Sequence, residues 1–224
     1  GYPGYKIHGW ENEPIQRQTA VVHAVGKQVG GKMDLMIDPF HALRTWGEAL
    51  KMGWACDEQN FFWLEDPYKD MGLSAHSHRK LRQLIKTPLL QMETLRGLEP
   101  HVDFIMAEGS DFVRADPDMD GGITGTMKIA HAAEGFGLDV ELHAPGPARR
   151  HLMAAIRNTN YYELGLVHPK IDVGGPPAYK DGYSDSFENI DENGCVEVPA
   201  GPGLGVEYDW DYIMKNRTGG VVYD

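Results

Sequence analysis

Cysteine is nearly absent from the 224-residue chain: Cys56 and Cys195 lie far apart, and neither has a C-x-x-C partner. That excludes a disulfide frame and a cysteine zinc site, and both thiols are expected to pack as small apolar side chains in a reducing, cytoplasmic compartment. Positive charge is also scarce. With 21 Lys+Arg against 33 Asp+Glu the formal net charge is −12, so no nucleic-acid partner is expected, because phosphate neutralisation needs a clustered basic surface. No apolar run approaches the ~18 residues of a membrane span, which argues against a membrane partner. The start, Gly1-Tyr2-Pro3-Gly4, has neither the basic nor the apolar part of an export signal, so the sequon at Asn216-Arg217-Thr218 carries no meaning. Gly30-Gly31, Gly121-Gly122 and Gly219-Gly220 sit in no G-x-G-x-x-G or Walker pattern, and none is read as a phosphate cradle.

What is present is a regular alternation. Short apolar runs, each ending on an ionisable residue, cover 5–8, 33–38, 61–65, 88–93, 112–116, 138–143 and 161–163. Amphipathic stretches predict helices over 15–29, 42–54, 74–85, 123–136 and 148–157, with only a short helix between Glu93 and Phe112. The closing residues (8, 38, 65, 93, 116, 143, 163) recur every 20 to 30 positions, the pitch of a repeated strand–helix unit. Parallel strands need such crossovers. Seven polar strand ends favour an α/β barrel of the TIM type over an open doubly wound sheet, because a barrel gathers its ligands at the C-terminal ends of many strands.

After Glu163 the composition turns rich in Gly, Pro and Asp, with turn signals at Gly174-Gly175-Pro176-Pro177 and Glu192-Asn193-Gly194. This tail is expected to wrap, anchored by Tyr208, Trp210 and Tyr212. His76-Ser77-His78 imitates the H-x-H of zinc amidohydrolases, but it enters a helix from a turn and is read as a surface feature.

Asp38, Glu65 and Glu93 end three successive runs. Three carboxylates at one barrel mouth repel unless a cation neutralises them, and an all-oxygen set suits Mg²⁺, with Mn²⁺ as the alternative, rather than zinc. Asp116 and His143 end the next two runs, where a carboxylate beside an imidazole fixes its tautomer and makes an acid or base poised near neutrality. Lys6 and His8 alternate along the first run, and Glu163 closes the ring, placed to hydrogen-bond a substrate oxygen.

Taken in order, Tyr5-Lys6-Ile7-His8, Leu35-Met36-Ile37-Asp38, Trp63-Leu64-Glu65-Asp66-Pro67, Gln91-Met92-Glu93, Asp116 with Gly121-Gly122-Ile123-Thr124, Lys128-Ile129-Ala130, Leu142-His143, Glu163 and the tail 198–205 make a specific set. The chain resembles the barrel domain of the enolase superfamily, within the mandelate racemase group and its acid-sugar dehydratases. The resemblance implies a (β/α)7β barrel with strands 2 to 8 present, and the first strand and an N-terminal α+β capping domain missing. It implies a barrel domain over 1–165 and a wrapping segment over 166–224 that returns toward the cap, with the rest of the protein lying outside this chain. It also implies Mg²⁺ on Asp38, Glu65 and Glu93, an acid/base dyad of Asp116 and His143, and Lys6 and Glu163 on either side of a substrate carboxylate.

His8 stands where the racemases keep a catalytic Lys, which leaves a second base, a polar contact or a hydroxyl donor open. Pro39-Phe40-His41 replaces the usual Asn two residues after the first metal ligand. The activity implied is abstraction of a proton α to a carboxylate through a stabilised enediolate. The expected outcome is dehydration of an aldonic or aldaric acid to a 2-keto-3-deoxy acid, with racemisation or epimerisation as the alternative and a non-catalytic binding barrel as a third reading. The substrate partner is then a small sugar acid, and the family's habit implies a homo-oligomer.

Overall fold

The computed structural model describes residues 2–9, 12–68, 74–165, 178–180 and 182–221. The chain forms two compact units: Gly1–His143 with Ile156–Tyr161, and Ala144–Ala155 with Tyr162–Asp224.

The first unit alternates strand and helix: β1 (Gly4–His8), α1 (Ile15–Val29), β2 (Asp34–Asp38), α2 (Trp46–Gln59), β3 (Trp63–Glu65), α3 (Ala75–Arg82), β4 (Leu89–Gln91), α4 (Leu98–Met106), β5 (Phe112–Ala115), α5 (Gly122–Gly135) and β6 (Asp139–Leu142). The strands pair in chain order, β1 to β6, and every pairing is parallel. The result is a curled half-barrel of six parallel strands, consistent with part of the α/β barrel expected from the strand–helix spacing.

Alternation along each strand sorts the side chains between two faces. Ile7, Leu35, Ile37, Leu64 and Leu89 join Ile15 and Val22 of α1 and Ala49, Met52 and Cys56 of α2 in one buried cluster. The alternate positions hold Lys6 and His8, Met36 and Asp38, Trp63 and Glu65, and Leu90. Among these, Met36, Trp63 and Leu90 form a second cluster with Phe112 and Tyr161. On α1 the buried positions Ile15, Gln18, Val22 and Gly26 follow helical spacing. Gly26 is small by necessity, since a Cβ there would stand 2.4 Å from Gln59 Oε1.

Helix α2 begins four residues later than its hydrophobic pattern predicts. Thr45 caps it, accepting the Glu48 N–H at 3.2 Å, while Asn60 ends it in the left-handed conformation. The predicted seventh strand over 161–163 does not form. The Val140 N–H still reaches the Asn158 carbonyl at 2.7 Å. The next donors, the backbone N–H groups of Asn160 and Tyr161, go to the buried Glu141 carboxylate at 3.1 and 3.3 Å instead of a strand carbonyl. Tyr161 then donates its hydroxyl to Asp34 at the start of β2.

The second unit holds α6 (Pro147–Ala155), a 3₁₀ turn at Phe187–Asn189 and α7 (Trp210–Lys215). Arg150 is its hub, donating to the Ser184 and Glu197 carbonyls and to Asp185. Tyr208 packs on Tyr179, and its ring also lies 5.8 Å from that of Trp210, which is 63% exposed. Cys56 is buried as expected, whereas Cys195 is exposed and both are free thiols. The Gly174–Pro177 turn signal lies outside the described residues.

Candidate active site

Because the strands are parallel and in register, their C-terminal ends share one rim, to which β1 brings His8, β2 Asp38 and β3 Glu65. Strand β4 stops at Gln91 because Met92 takes a φ of 100°, and Glu93 follows from the turn. Asp116 and His143 directly follow β5 and β6.

Asp38, Glu65 and Glu93 each offer an oxygen, and these oxygens lie within 4.8 Å of one another. Glu65 is fully buried, with Lys6 Nζ 2.9 Å from Oε2 and Arg114 Nε 3.0 Å from Oε1; the latter contact is an ion pair without hydrogen-bond alignment. Asp38 Oδ1 accepts the Phe40 N–H at 2.7 Å, and Oδ2 lies 3.8 Å from His8 Nε2. Burial, and then the neighbouring Glu65, push the Asp38 pKa up to about 7 against the pull of Lys6 and the Phe40 N–H. Asp66 adds a fourth buried carboxyl. Among the described residues neither of its oxygens has a hydrogen-bond partner, its φ is +34°, and burial with Glu65, Asp38 and Glu93 raises its pKa well above the carboxylate range.

So dense a set of oxygens fits a hard divalent cation. The donors are all carboxylate, they converge, and the orphaned Asp66 oxygens mark a place where negative charge exceeds what the protein itself compensates. Asp38, Glu65 and Glu93 would hold the ion.

The Asp116 carboxylate is used on both sides. Oδ1 accepts the Asp118 N–H at 2.8 Å, and Oδ2 lies 2.7 Å from His143 Nδ1. A carboxylate at Nδ1 fixes the proton there and leaves Nε2 as the basic nitrogen, 3.6 Å from Glu93 Oε1. Asp120 locks the turn by accepting the Asp116 and Gly97 N–H groups. The predicted dyad and the predicted metal triad thus meet on one rim.

His8 stacks on Phe40 with ring centroids 4.7 Å apart. Phe40 and His41 both take left-handed backbone angles, φ 55° and 54°, so the rim after Asp38 is strained at the Pro39-Phe40-His41 segment that stands in place of the usual Asn. Glu163 belongs to the second unit and is half-buried there. His78 corrects the surface reading of His76-Ser77-His78. It is fully buried, its Nδ1 2.8 Å from the Ser74 carbonyl and its Nε2 3.0 Å from Gln91 Oε1, while His76 is exposed.

Sequence reasoning missed Arg114, Glu141 and the role of Asp66. The first two were within reach of strand alternation, since each stands two residues before a residue already assigned to the rim, Asp116 and His143.

Residues 1–212 match the family model described as enolase C-terminal domain-like. The chain is 27% identical over 219 residues to a D-gluconate dehydratase of Thermoproteus tenax, covering 96% of this chain and 42% of that protein, so it spans less than half of that relative. It superposes on the D-glucarate dehydratase from Agrobacterium tumefaciens complexed with magnesium with a TM-score of 0.85 and 32% identity, covering 98% of this chain and 57% of the other. The L-talarate dehydratase from Polaromonas sp. JS666, complexed with Mg and L-glucarate, gives a TM-score of 0.63 at 29% identity over 71% of this chain and 42% of that one.

Proposed function

Because the chain belongs to the enolase C-terminal domain-like family, we propose that it carries the metal site and proton-transfer dyad of an acid-sugar dehydratase acting on an aldonic or aldaric acid. The observation that carries the reading is the meeting of three carboxylates within 4.8 Å with a His143–Asp116 pair whose Nε2 lies 3.6 Å from one of them. Similar proteins named as gluconate and glucarate dehydratases support the substrate class.

A proton α to a carboxylate leaves only when the charge gathering on the carboxylate oxygens is stabilised, and a bound Mg²⁺ supplies Lewis-acid charge for that. Asp38, Glu65 and Glu93 would hold it, with Mn²⁺ as the substitute ion. Lys6 stands 2.9 Å from Glu65, and in this reading its ammonium group faces the substrate carboxylate. His143 takes the α-proton at Nε2 while Asp116 holds the Nδ1 proton and stabilises the imidazolium. As the β-carbon–oxygen bond breaks, His143 returns that proton to the departing hydroxyl. Water leaves, the α,β double bond forms, and the enol tautomerises to the 2-keto-3-deoxy acid. For Glu163 the proposed role stays the one that the resemblance implies, a hydrogen bond to a substrate oxygen.

The same reading takes 1–165 as the barrel domain and 166–224 as the segment returning to a cap, in a cytoplasmic homo-oligomer. Among the described residues no helix is long and apolar enough to cross a membrane.

Incubating the full-length protein and Mg²⁺ with C5 and C6 aldonic and aldaric acids, and trapping 2-keto products with semicarbazide, tests the proposal; silence across the panel overturns it. A racemase or epimerase is the second reading. His8 on β1 and His143 after β6 sit at opposite ends of the strand order and offer two imidazoles to the rim. Deuterium entering the α-position from D₂O without keto product selects it, and ligand binding with neither result selects a non-catalytic barrel.

A further inference from the structure

We infer that Arg114 is a positioning residue that fixes the carboxylate of Glu65 and thereby sets the affinity of the site for a divalent cation; the inference rests on the metal-site reading above. Arg114 is only 1% exposed and is the bulkiest fully buried side chain among the described residues. The interior layers of an α/β barrel are ordinarily filled by branched apolar residues, so a guanidinium there is not filler. Burying it is costly unless its charge and donors are met.

Its charge and its Nη1 donor are met from two strands, β3 and β6. Glu65 Oε1 on β3 lies 3.0 Å from Nε, the Leu142 carbonyl on β6 accepts from Nη1 at 3.1 Å, and Glu141 is its register partner on β6. Arg114 is also the cation that opposes the effect of burial on both Asp66 and Glu141. Its own backbone is pinned by His101, whose Nε2 lies 3.1 Å from the Arg114 carbonyl.

The three triad carboxylates are therefore held unequally. Asp38 leans on one backbone N–H, and the Glu93 side chain is 23% exposed beside His143. Glu65 has a cation at each oxygen: Lys6, a flexible point charge at 16% exposure, and Arg114, a planar fork at 2%. The Arg114 guanidinium, anchored by Nη1 on the Leu142 carbonyl, holds a fixed charge 3.0 Å from Oε1, whereas a flexible ammonium can follow the carboxylate as it turns. Each Glu65 oxygen keeps a further lone pair for an ion, so the contact orients this ligand without consuming it.

Arg114→Lys separates orientation from charge, because it keeps the positive charge and loses the fork. In the EDTA-stripped full-length protein at pH 8, Mn²⁺ titration followed by the EPR signal of the free ion should give a Kd raised 10- to 100-fold, the usual cost of disturbing a residue that orients a metal ligand. Circular dichroism at the titration temperature should remain native. A Kd within twofold of wild type overturns the inference, as does equal binding by Arg114→Lys and wild type with a loss confined to Arg114→Met, since charge alone then suffices. Were Arg114→Lys not to fold, wild type labelled at arginine Nε answers the question: a slowly exchanging buried Nε–H resonance should shift when Mg²⁺ is added, and an unmoved one overturns the inference. Metal binding is read without substrate. A wild type that binds Mn²⁺ but turns over nothing therefore sinks the dehydratase reading alone.

Discussion

His143 Nδ1 stands 2.7 Å from Asp116 Oδ2, joining the ends of two neighbouring parallel strands through one side-chain contact. Asp116→Asn should reverse the imidazole tautomer, because an amide turned to donate at Nδ1 forces the proton onto Nε2. Turnover and α-proton exchange should then fall about 10⁴-fold, the loss seen when a triad aspartate is so changed. His143→Ala should remove exchange altogether. Mn²⁺ affinity should change little in either variant, and EPR titration beside exchange kinetics in D₂O checks both halves.

The triad residues should respond differently to neutralisation. Glu65→Gln leaves Lys6 and Arg114 facing an uncharged amide in a dry interior, and breaking a buried pair costs about 3–5 kcal/mol. It should lower the thermal midpoint and abolish Mn²⁺ binding together. Glu93→Gln acts at a side chain 23% exposed, so it should weaken Mn²⁺ binding while the melting curve of the metal-free protein stays close to wild type. EDTA should abolish turnover in wild type and Mg²⁺ should restore it. Calorimetry with and without Mg²⁺ distinguishes the two variants.

The strand–helix alternation and the rim residues were legible because a parallel strand needs only a short apolar run, and its last inward residue is polar where chemistry is done. Helix ends were less legible. The Thr45 cap overrides the apolar pattern that runs back to Ala42, and a single capping hydrogen bond has no periodicity to read. The missing seventh strand has the same kind of cause: the Glu141 side chain captures the N–H groups of Asn160 and Tyr161, a competition settled by tertiary position rather than local sequence. Arg114 was hidden because a charged residue in an apolar run reads as an exception until both neighbouring strands are placed. His78 was misread for the converse reason, since a polar tripeptide at a helix start gives no sign that its third residue turns inward onto Gln91.

Gly53 on α2 lies where a Cβ would stand 2.6 Å from Ile85 Cγ2 and 3.0 Å from Cδ1. Alanine is the better helix former by about 1 kcal/mol, yet overpacking a rigid β-branched side chain costs about 1–3 kcal/mol, so Gly53→Ala should lower stability on balance. Ile85→Ala should cost less in the Gly53→Ala background than in wild type, because it removes the clash as well as the packing. Urea unfolding of the two single variants and the double variant measures that coupling. Additive losses would show that the helix shifts to accommodate the methyl group.

Glu141 predicts how stability depends on pH. Burial pushes its pKa from 4.5 up to about 7, against the Asn160 and Tyr161 donors and Arg114. Between those values the folded carboxyl keeps a proton that the unfolded chain has already lost. The stability this group contributes is therefore complete below about pH 4.5 and disappears as pH rises through 7, at up to about 1.4 kcal/mol per pH unit for one proton. Asp38, raised from 3.8 to about 7, and Asp66 act in the same direction. The EDTA-treated protein should consequently be more stable at pH 5 than at pH 8. Glu141→Gln should flatten that decline by one proton's worth, because an amide does not titrate. Mg²⁺ should raise the thermal midpoint strongly at pH 8 and weakly at pH 5, since protons and cation compete for the same triad. Thermal melts across pH 5 to 8, with and without Mg²⁺, check the sign directly: a metal-free midpoint that climbs across that range would mean these carboxyls are ionised in the folded state.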